Sequence, residues 1–102
     1  MTQAHLNEIN KLSEIIRPVA IKYGVKAVYV FGSFARNEAT ENSDYDFFID
    51  KGQIKNLFQL SAFRIELEKV LQKNIDIVTE KVKDFRLKQE IDRDKVLLYE
   101  AS

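Results

Sequence analysis

The chain has 102 residues, with 16 basic and 16 acidic side chains, no cysteine and one histidine. This length has room for one hydrophobic core, so we expect a single domain over residues 1–102. The formal net charge of +0 argues against tight non-specific binding of nucleic acid. The lack of cysteine excludes disulfides, thiolate nucleophiles and cysteine-ligated zinc.

The sequence argues against two further classes of protein, those that enter or cross a membrane and enzymes that use histidine in catalysis. No run is apolar over the length that spans a membrane, and no signal peptide is recognisable, so we expect a cytoplasmic protein. The single histidine, His5, stands near the N-terminus and outside any cluster of polar residues. Catalysis that depends on histidine is therefore not expected.

The first predicted element is a long amphipathic helix. Its apolar residues recur at helical spacing and form one stripe, as is typical of a helix that packs on a core. The stripe consists of Leu6, Ile9, Leu12, Ile16, Val19, Ala20 and Tyr23. Pro18 lacks a backbone donor and is expected to kink the last turn, and Gly24 is expected to end the helix.

A predicted strand over residues 26–31 ends at Gly32-Ser33. A glycine at the end of a strand lets backbone N–H groups approach a phosphate, and the short helical turn expected next would direct its N-terminus to the same place. The connection over residues 33–43 also contains Arg36. Two interpretations of Arg36 remain open, a contact with a nucleotide phosphate or pairing with Glu38 or Glu41.

The next predicted strand carries Asp44 and Asp46 among aromatic and apolar residues. Alternate residues of a strand share a face and lie roughly 6.6 Å apart, so both carboxylates could reach shared cations. Mg²⁺ prefers such oxygen ligands, and two Mg²⁺ ions form a clamp for displacement at phosphorus. The alternative is a solvent-facing strand edge. Asp50 is expected beyond the end of this strand, in a turn.

The second half of the chain predicts a helix, a strand, a helix and a strand. The helix covers residues 54–72, with its aromatic positions in the core, and the strand covers residues 74–78. The later helix covers residues 81–92, followed by a turn at 92–94 and a strand over 96–99. The whole pattern predicts an α/β domain with a single mixed β-sheet and helices packed against it.

Asp76 lies in the middle of the apolar strand over residues 74–78. A carboxylate there is costly to bury unless it is paired or bound to a metal. An exposed acid on an edge strand is the alternative.

One combination of residues resembles a known signature. Gly32-Ser33, followed after ten residues by Asp44-Tyr45-Asp46, is similar to the motif of the polymerase β-like nucleotidyltransferase superfamily. The closest resemblance is to MNT-type minimal nucleotidyltransferases, the antitoxin partners of HEPN-domain proteins. It covers nearly the whole chain. One departure is Asn37, where the family usually has glycine, which would alter the turn.

The resemblance implies a polymerase β-like fold and a reaction that uses ATP and two Mg²⁺ ions. The implied catalytic and metal-binding residues are Asp44, Asp46 and Asp76. The implied nucleotide-binding residues are Gly32, Ser33, Arg36 and Ser43.

The resemblance also implies a partner. AMP would be transferred to a tyrosine of a HEPN-type toxin, which this transfer would silence, and the two proteins would form a hetero-oligomer without nucleic acid or membrane. Two other function classes stay open. The chain could be a catalytically silent module that neutralises its partner by contact, or an adenylyltransferase of a small molecule such as an antibiotic, completed by a partner subunit.

Overall fold

The computed structural model describes residues 1–102 and contains four strands and four helices. In chain order these are α1 (Gln3–Tyr23), β1 (Ala27–Phe31), α2 (Gly32–Ala35), β2 (Tyr45–Asp50), α3 (Leu57–Leu71), β3 (Ile75–Thr79), α4 (Phe85–Asp94) and β4 (Val96–Glu100). The predicted order of elements is confirmed, and the short helical turn expected after β1 is α2. No helix combines the length and apolarity that crossing a membrane requires.

The strands form one mixed sheet in the order β3-β2-β1-β4. β1 is antiparallel to both β2 and β4, whereas β2 and β3 run parallel. The expected α/β domain with a single mixed sheet is therefore confirmed. As a result, the C-terminal end of β1 and the N-terminal ends of β2 and β3 meet at the same edge of the sheet.

The core lies between one face of the sheet and the helices α1 and α3. Val28 and Val30 of β1 are fully buried there with Phe47 and Ile49 of β2, because alternate residues of each strand point to the same face. Phe63 of α3 is also fully buried. This packing fixes the register of β2 and so commits Asp46 to the opposite face.

α1 is defined by a cap at each end. The Thr2 side chain accepts a hydrogen bond from the His5 backbone N–H, and Gly24 ends the helix with φ at 68°. Pro18 lies inside this helix, which ends before Gly24 as expected. Most of the predicted stripe is buried, but Leu6 is 39% exposed and His5 is buried in its place.

α3 is shorter than predicted and only partly buried. It begins at Leu57, after Asn56, whose side chain accepts from the Gln59 backbone N–H. Phe63 is buried as expected, but Phe58 is 88% exposed and Val70 is 46% exposed. The expectation that the aromatic positions of this helix are all in the core was therefore wrong for Phe58, which lies on the first turn of the helix.

Two further boundaries also differ from the predictions. Asp50 is the last residue of β2 and pairs with Ala27, so it does not lie beyond the strand. α4 begins at Phe85 after the capping carboxylate of Asp84, and it includes residues 92–94, where a turn was expected. The N-cap delays the start of the helix by several residues, and the helix then continues as far as β4.

Candidate active site

Gly32 makes the junction of β1 and α2, and its conformation admits the Asp46 carboxylate. Gly32 has φ at 71°, a backbone region that favours glycine. A Cβ at this position would overlap Oδ2 of Asp46. Phe31, the residue before it, is the register partner of Asp46. Gly32 therefore allows a carboxylate to approach the end of β1 closely. The sequence predicts a different use of this glycine, the close approach of a phosphate.

Asp46 and Asp76 lie opposite each other on neighbouring strands. They are register partners in the parallel pair of β2 and β3, whose strands lie about 4.8 Å apart. Asp46 is half-buried, whereas Asp76 is exposed on the edge strand. Asp44 precedes β2 by one residue and is exposed. The structure thus brings all three sequence-predicted carboxylates to one end of the sheet.

Burial and like charges disfavour the ionised form of Asp46. Burial of the carboxyl group raises its pKa most, and the carboxylates of Asp76, Glu90 and Asp44 raise it further, while Arg36 lowers it. Glu90 belongs to α4 and was not identified from the sequence. It approaches this end of the sheet because α4 packs against α2 and β1, a contact that no local sequence pattern indicates.

The donor set at this end fits Mg²⁺ only in part. No group of three or more His, Cys, Asp or Glu side chains converges closely enough to enclose a metal ion. Mg²⁺, however, is commonly held by one or two carboxylates together with waters and substrate phosphates. The raised pKa of Asp46 is the observation that favours such an ion, because a cation would relieve the repulsion among these carboxylates.

Arg36 is held by three carboxylates. Its guanidinium donates to Glu38 at 2.8 Å and to Asp94 at 2.8 Å, and Glu90 lies at 3.6 Å. These hydrogen bonds raise the pKa of Arg36, and the hydrogen bonds from Arg93 and Arg36 lower the pKa of Asp94. Of the two interpretations of Arg36 offered by the sequence, the one observed is an ion pair with Glu38. The second link, to Asp94, was missed, since 58 residues separate the two in sequence.

The loop between α2 and β2 is held by its own hydrogen bonds. Asn37 has φ at 60°, so this asparagine adopts the left-handed conformation for which the family usually has glycine. The Ser43 hydroxyl accepts from the Thr40 backbone N–H at 2.9 Å. The Ser43 backbone N–H in turn donates to the Thr40 carbonyl at 3.0 Å. Ser43 therefore closes a tight turn immediately before Asp44.

A cleft of about 250 Å³ lies between this loop and the start of α1. Asp44, Tyr45 and Phe34 contribute to its wall, together with His5. His5 is 4% exposed, packs on the Phe34 ring, and has Nε2 at 3.2 Å from the Ala35 carbonyl oxygen. The only histidine therefore contributes to packing beside the site, although its position in the sequence gave no sign of this.

Comparison with known protein families and sequences gives one consistent result. Residues 10–102 match the family model described as "Polymerase beta, Nucleotidyltransferase". A protein of Methanocaldococcus jannaschii, named "Putative protein adenylyltransferase", is 44% identical over 71 residues, which cover 70% of this chain and 76% of the relative.

Solved structures with the same fold include both a single chain and complexes. One, described as "putative minimal nucleotidyltransferase", has a TM-score of 0.74 at 30% identity and covers 89% of this chain and 93% of its own. A toxin–antitoxin with AMP-PNP has a TM-score of 0.74 at 17% identity, covering 88% of this chain and 74% of its own. A tri-AMPylated HEPN toxin in complex with an MNT antitoxin, from Shewanella oneidensis, has a TM-score of 0.56 at 20% identity. The match covers 99% of this chain and 74% of the chain in that structure. The last two show the fold alone.

Proposed function

Because the chain belongs to the polymerase β nucleotidyltransferase family, we propose that it is a Mg²⁺-dependent protein adenylyltransferase. It transfers AMP from ATP to a tyrosine hydroxyl of a HEPN-type toxin and acts as the antitoxin of the pair. The observation that carries this proposal is the approach of Asp46 to Gly32 at the end of β1, with Asp76 opposite in register. It brings a phosphate-binding turn and two carboxylates to one place.

The nucleotide side of the reaction is assigned to four residues. Gly32 and Ser33 offer backbone N–H groups to the phosphates at the start of α2, and Ser43 shapes the loop that faces them. Arg36 lies close to Gly32, and its guanidinium must exchange a carboxylate partner for a phosphate if it is to bind the nucleotide. Asp44 and Asp46 would hold two Mg²⁺ ions, and these ions would supply charge neutralisation at phosphorus.

The transfer itself exchanges one bond to phosphorus for another. The acceptor hydroxyl oxygen bonds to the α-phosphorus of ATP, and the bond from this phosphorus to the bridging oxygen of the β-phosphate breaks, which releases pyrophosphate. Asp76, on the exposed edge strand, orients the hydroxyl and accepts its proton, which passes to solvent. Positioning and charge compensation account for most of the rate, as is general for such transfers.

The acceptor is expected to be a protein because this chain leaves the carboxylate end of the sheet open. Asp44 and Asp76 are both exposed, and all four helices are already used to build and cover the sheet. Residues 36–50 carry five acidic side chains against one basic. A partner with a partly basic surface would complement this stretch, and association should then weaken with salt.

A labelling experiment separates this proposal from its two alternatives. The purified chain is incubated with Mg²⁺ and α-³²P-ATP, with and without a HEPN-domain protein, and with a panel of aminoglycosides. Label on the HEPN protein supports the proposal. Inhibition of the toxin without label indicates a silent binding module, and label on an aminoglycoside indicates a small-molecule adenylyltransferase; either result contradicts the proposal.

A further inference from the structure

Lys73 links the start of β3 to the loop that carries Asp44. Its ammonium group donates to two backbone carbonyls of that loop, those of Glu41 and Ser43, each at 2.9 Å. Lys73 itself lies two residues before β3, the strand that carries Asp76. One side chain therefore connects the chain segments from which two of the three carboxylates project.

A second hydrogen bond joins the same two segments. The Tyr45 backbone N–H donates to the Asn74 carbonyl at 3.2 Å. Both neighbours of Asp44 are thus held, Ser43 by the Lys73 side chain and Tyr45 by the Asn74 carbonyl. The direction of the Asp44 side chain depends on the backbone of these neighbours, so holding them restricts where its carboxylate can point.

The charge of Lys73 is not used in an ion pair. None of the ion pairs of the chain includes Lys73, although its side chain is half-buried, with Nζ 6.0 Å from the centre of the Tyr45 ring. It is also the only lysine or arginine in the walls of the two clefts that border Asp44. A charged donor strengthens hydrogen bonds to carbonyl oxygens about twofold over a neutral one. The arrangement suits a clamp on the backbone.

We propose that Lys73 is a positioning residue of the active site. Its ammonium group clamps the turn over residues 41–43 and thereby holds the Asp44 carboxylate toward Asp46, where the two would hold an ion. The role assigned to Asp44 rests on the proposed function. The clamp itself is a property of the isolated chain, so it can be tested without any transfer of AMP.

The direct test is amide hydrogen exchange of the chain without nucleotide or metal. Lys73→Met keeps an unbranched side chain of nearly the same length, which can still pack on Tyr45 but cannot donate a hydrogen bond. We expect the Ser43 and Tyr45 amides to exchange about tenfold faster, relative to the Phe47 amide in the centre of β2, which corresponds to about 1.4 kcal/mol. Lys73→Arg retains charged donors and should restore most of the protection. Lys69→Met, which removes an exposed lysine one turn earlier, should leave the ratio unchanged.

A binding measurement then connects the clamp to the site. Mg²⁺ is titrated at a fixed concentration of AMP-PNP while the melting temperature is followed. The Mg²⁺ concentration that gives half of the maximal rise in melting temperature should be about tenfold higher in Lys73→Met, and Lys73→Arg should restore the wild-type value. This corresponds to about 1.4 kcal/mol of lost binding. Unchanged exchange at Ser43 and Tyr45 would overturn the clamp, even if nucleotide binding were weaker. Faster exchange with unchanged Mg²⁺ dependence would overturn the link to Asp44. If Mg²⁺ and AMP-PNP fail to stabilise the wild type, the proposed function fails, while the exchange data still decide on the clamp.

Discussion

At the scale of single residues, Asp46 combines partial burial with three neighbouring acidic side chains. Such a group stabilises the fold less when it is ionised than when it is protonated. The pKa of Asp46 in the folded state lies above the ordinary value of 3.8. As the pH rises above 3.8, Asp46 therefore keeps its proton longer in the folded chain than in the unfolded chain. The site therefore lowers the stability of the metal-free protein at neutral pH.

We expect this cost to be visible in the pH dependence of stability. The contribution of Asp46 to the free energy of unfolding should fall as the pH rises from about 3.8 through its raised folded-state pKa. Asp46→Asn should remove this decline and be at least as stable as the wild type at pH 7 without metal. Chemical denaturation at a series of pH values measures both. Asp50→Asn, on the same strand but paired with Lys26, is the control. A less stable Asp46→Asn at pH 7 would contradict the electrostatic account.

Gly32 offers a second test at this scale. Gly32→Ala places a Cβ against the Asp46 carboxylate and requires alanine at φ near 71°, which costs about 1–2 kcal/mol. Gly24→Ala is a matched control, because Gly24 has φ at 68° and the nearest atoms to its added Cβ belong to the side chain of Gln53. Both variants should melt at lower temperatures, but only Gly32→Ala should lose Mg²⁺–nucleotide binding. Equal binding by the two variants would show that the contact with Asp46 has no role.

At the scale of elements, the contact between α2 and α4 decides which groups surround Arg36. Asp94, at the end of α4, has a side chain only 7% exposed and accepts hydrogen bonds from Arg36 and Arg93. This link holds α4 near the turn at Gly32 and Ser33 and brings Glu90 toward Asp46. It also keeps Arg36 occupied before any nucleotide arrives.

Asp94→Asn tests whether Arg36 changes partners. The variant should have a lower melting temperature, because the shielded carboxylate that pairs with the Arg36 guanidinium is lost. Its affinity for AMP-PNP should be higher, because Arg36 becomes available to phosphates. Asp92→Asn is the control on the same helix, since Asp92 is exposed and pairs with Lys95. Isothermal titration with AMP-PNP and Mg²⁺ gives the affinities. Unchanged or weaker binding in Asp94→Asn would indicate that Arg36 serves only to join α2 to α4.

The elements also show which features the sequence could predict. The alternation around Asp46 and the apolar run of β1 predict strands correctly, because a period of two reflects burial on one face. The motif from Gly32 to Asp46 predicts which residues meet, because the register of adjacent strands follows from their burial. The pairing of Arg36 with Glu38 lies within reach of the sequence, but its pairing with Asp94 and the positions of Glu90 and Lys73 depend on contacts between distant segments. The exposure of Phe58 likewise depends on which side of α3 meets α1, and helical period alone does not fix this.

At the scale of the whole molecule, the chain presents its carboxylates on an open end of the sheet. Asp44 and Asp76 are exposed, and no segment covers them. Enzymes that transfer phosphoryl groups generally exclude water from the reacting phosphates by closing a lid or a domain. A partner protein would provide this closure together with the acceptor hydroxyl.

We therefore expect the isolated chain to be nearly inactive. Incubation with Mg²⁺ and ATP should give no appreciable turnover on aminoglycosides, nucleotides or free tyrosine, whereas addition of the HEPN partner should allow rapid transfer. Pyrophosphate release measures both conditions. The partner alone and the chain alone serve as controls. Rapid turnover on any small acceptor without a second protein would contradict the dependence on a partner.

The central claim is that Asp44 and Asp46 hold the ions for transfer of AMP to a protein. Its most direct test is the intact mass of the HEPN partner after incubation with Mg²⁺, ATP and either the wild type or Asp44→Asn/Asp46→Asn. The wild type should add AMP to a tyrosine of the partner. The double variant should add none, although its melting temperature without metal should equal or exceed that of the wild type, because the repulsion is removed. Modification of the partner by a folded double variant at the wild-type rate would contradict the account.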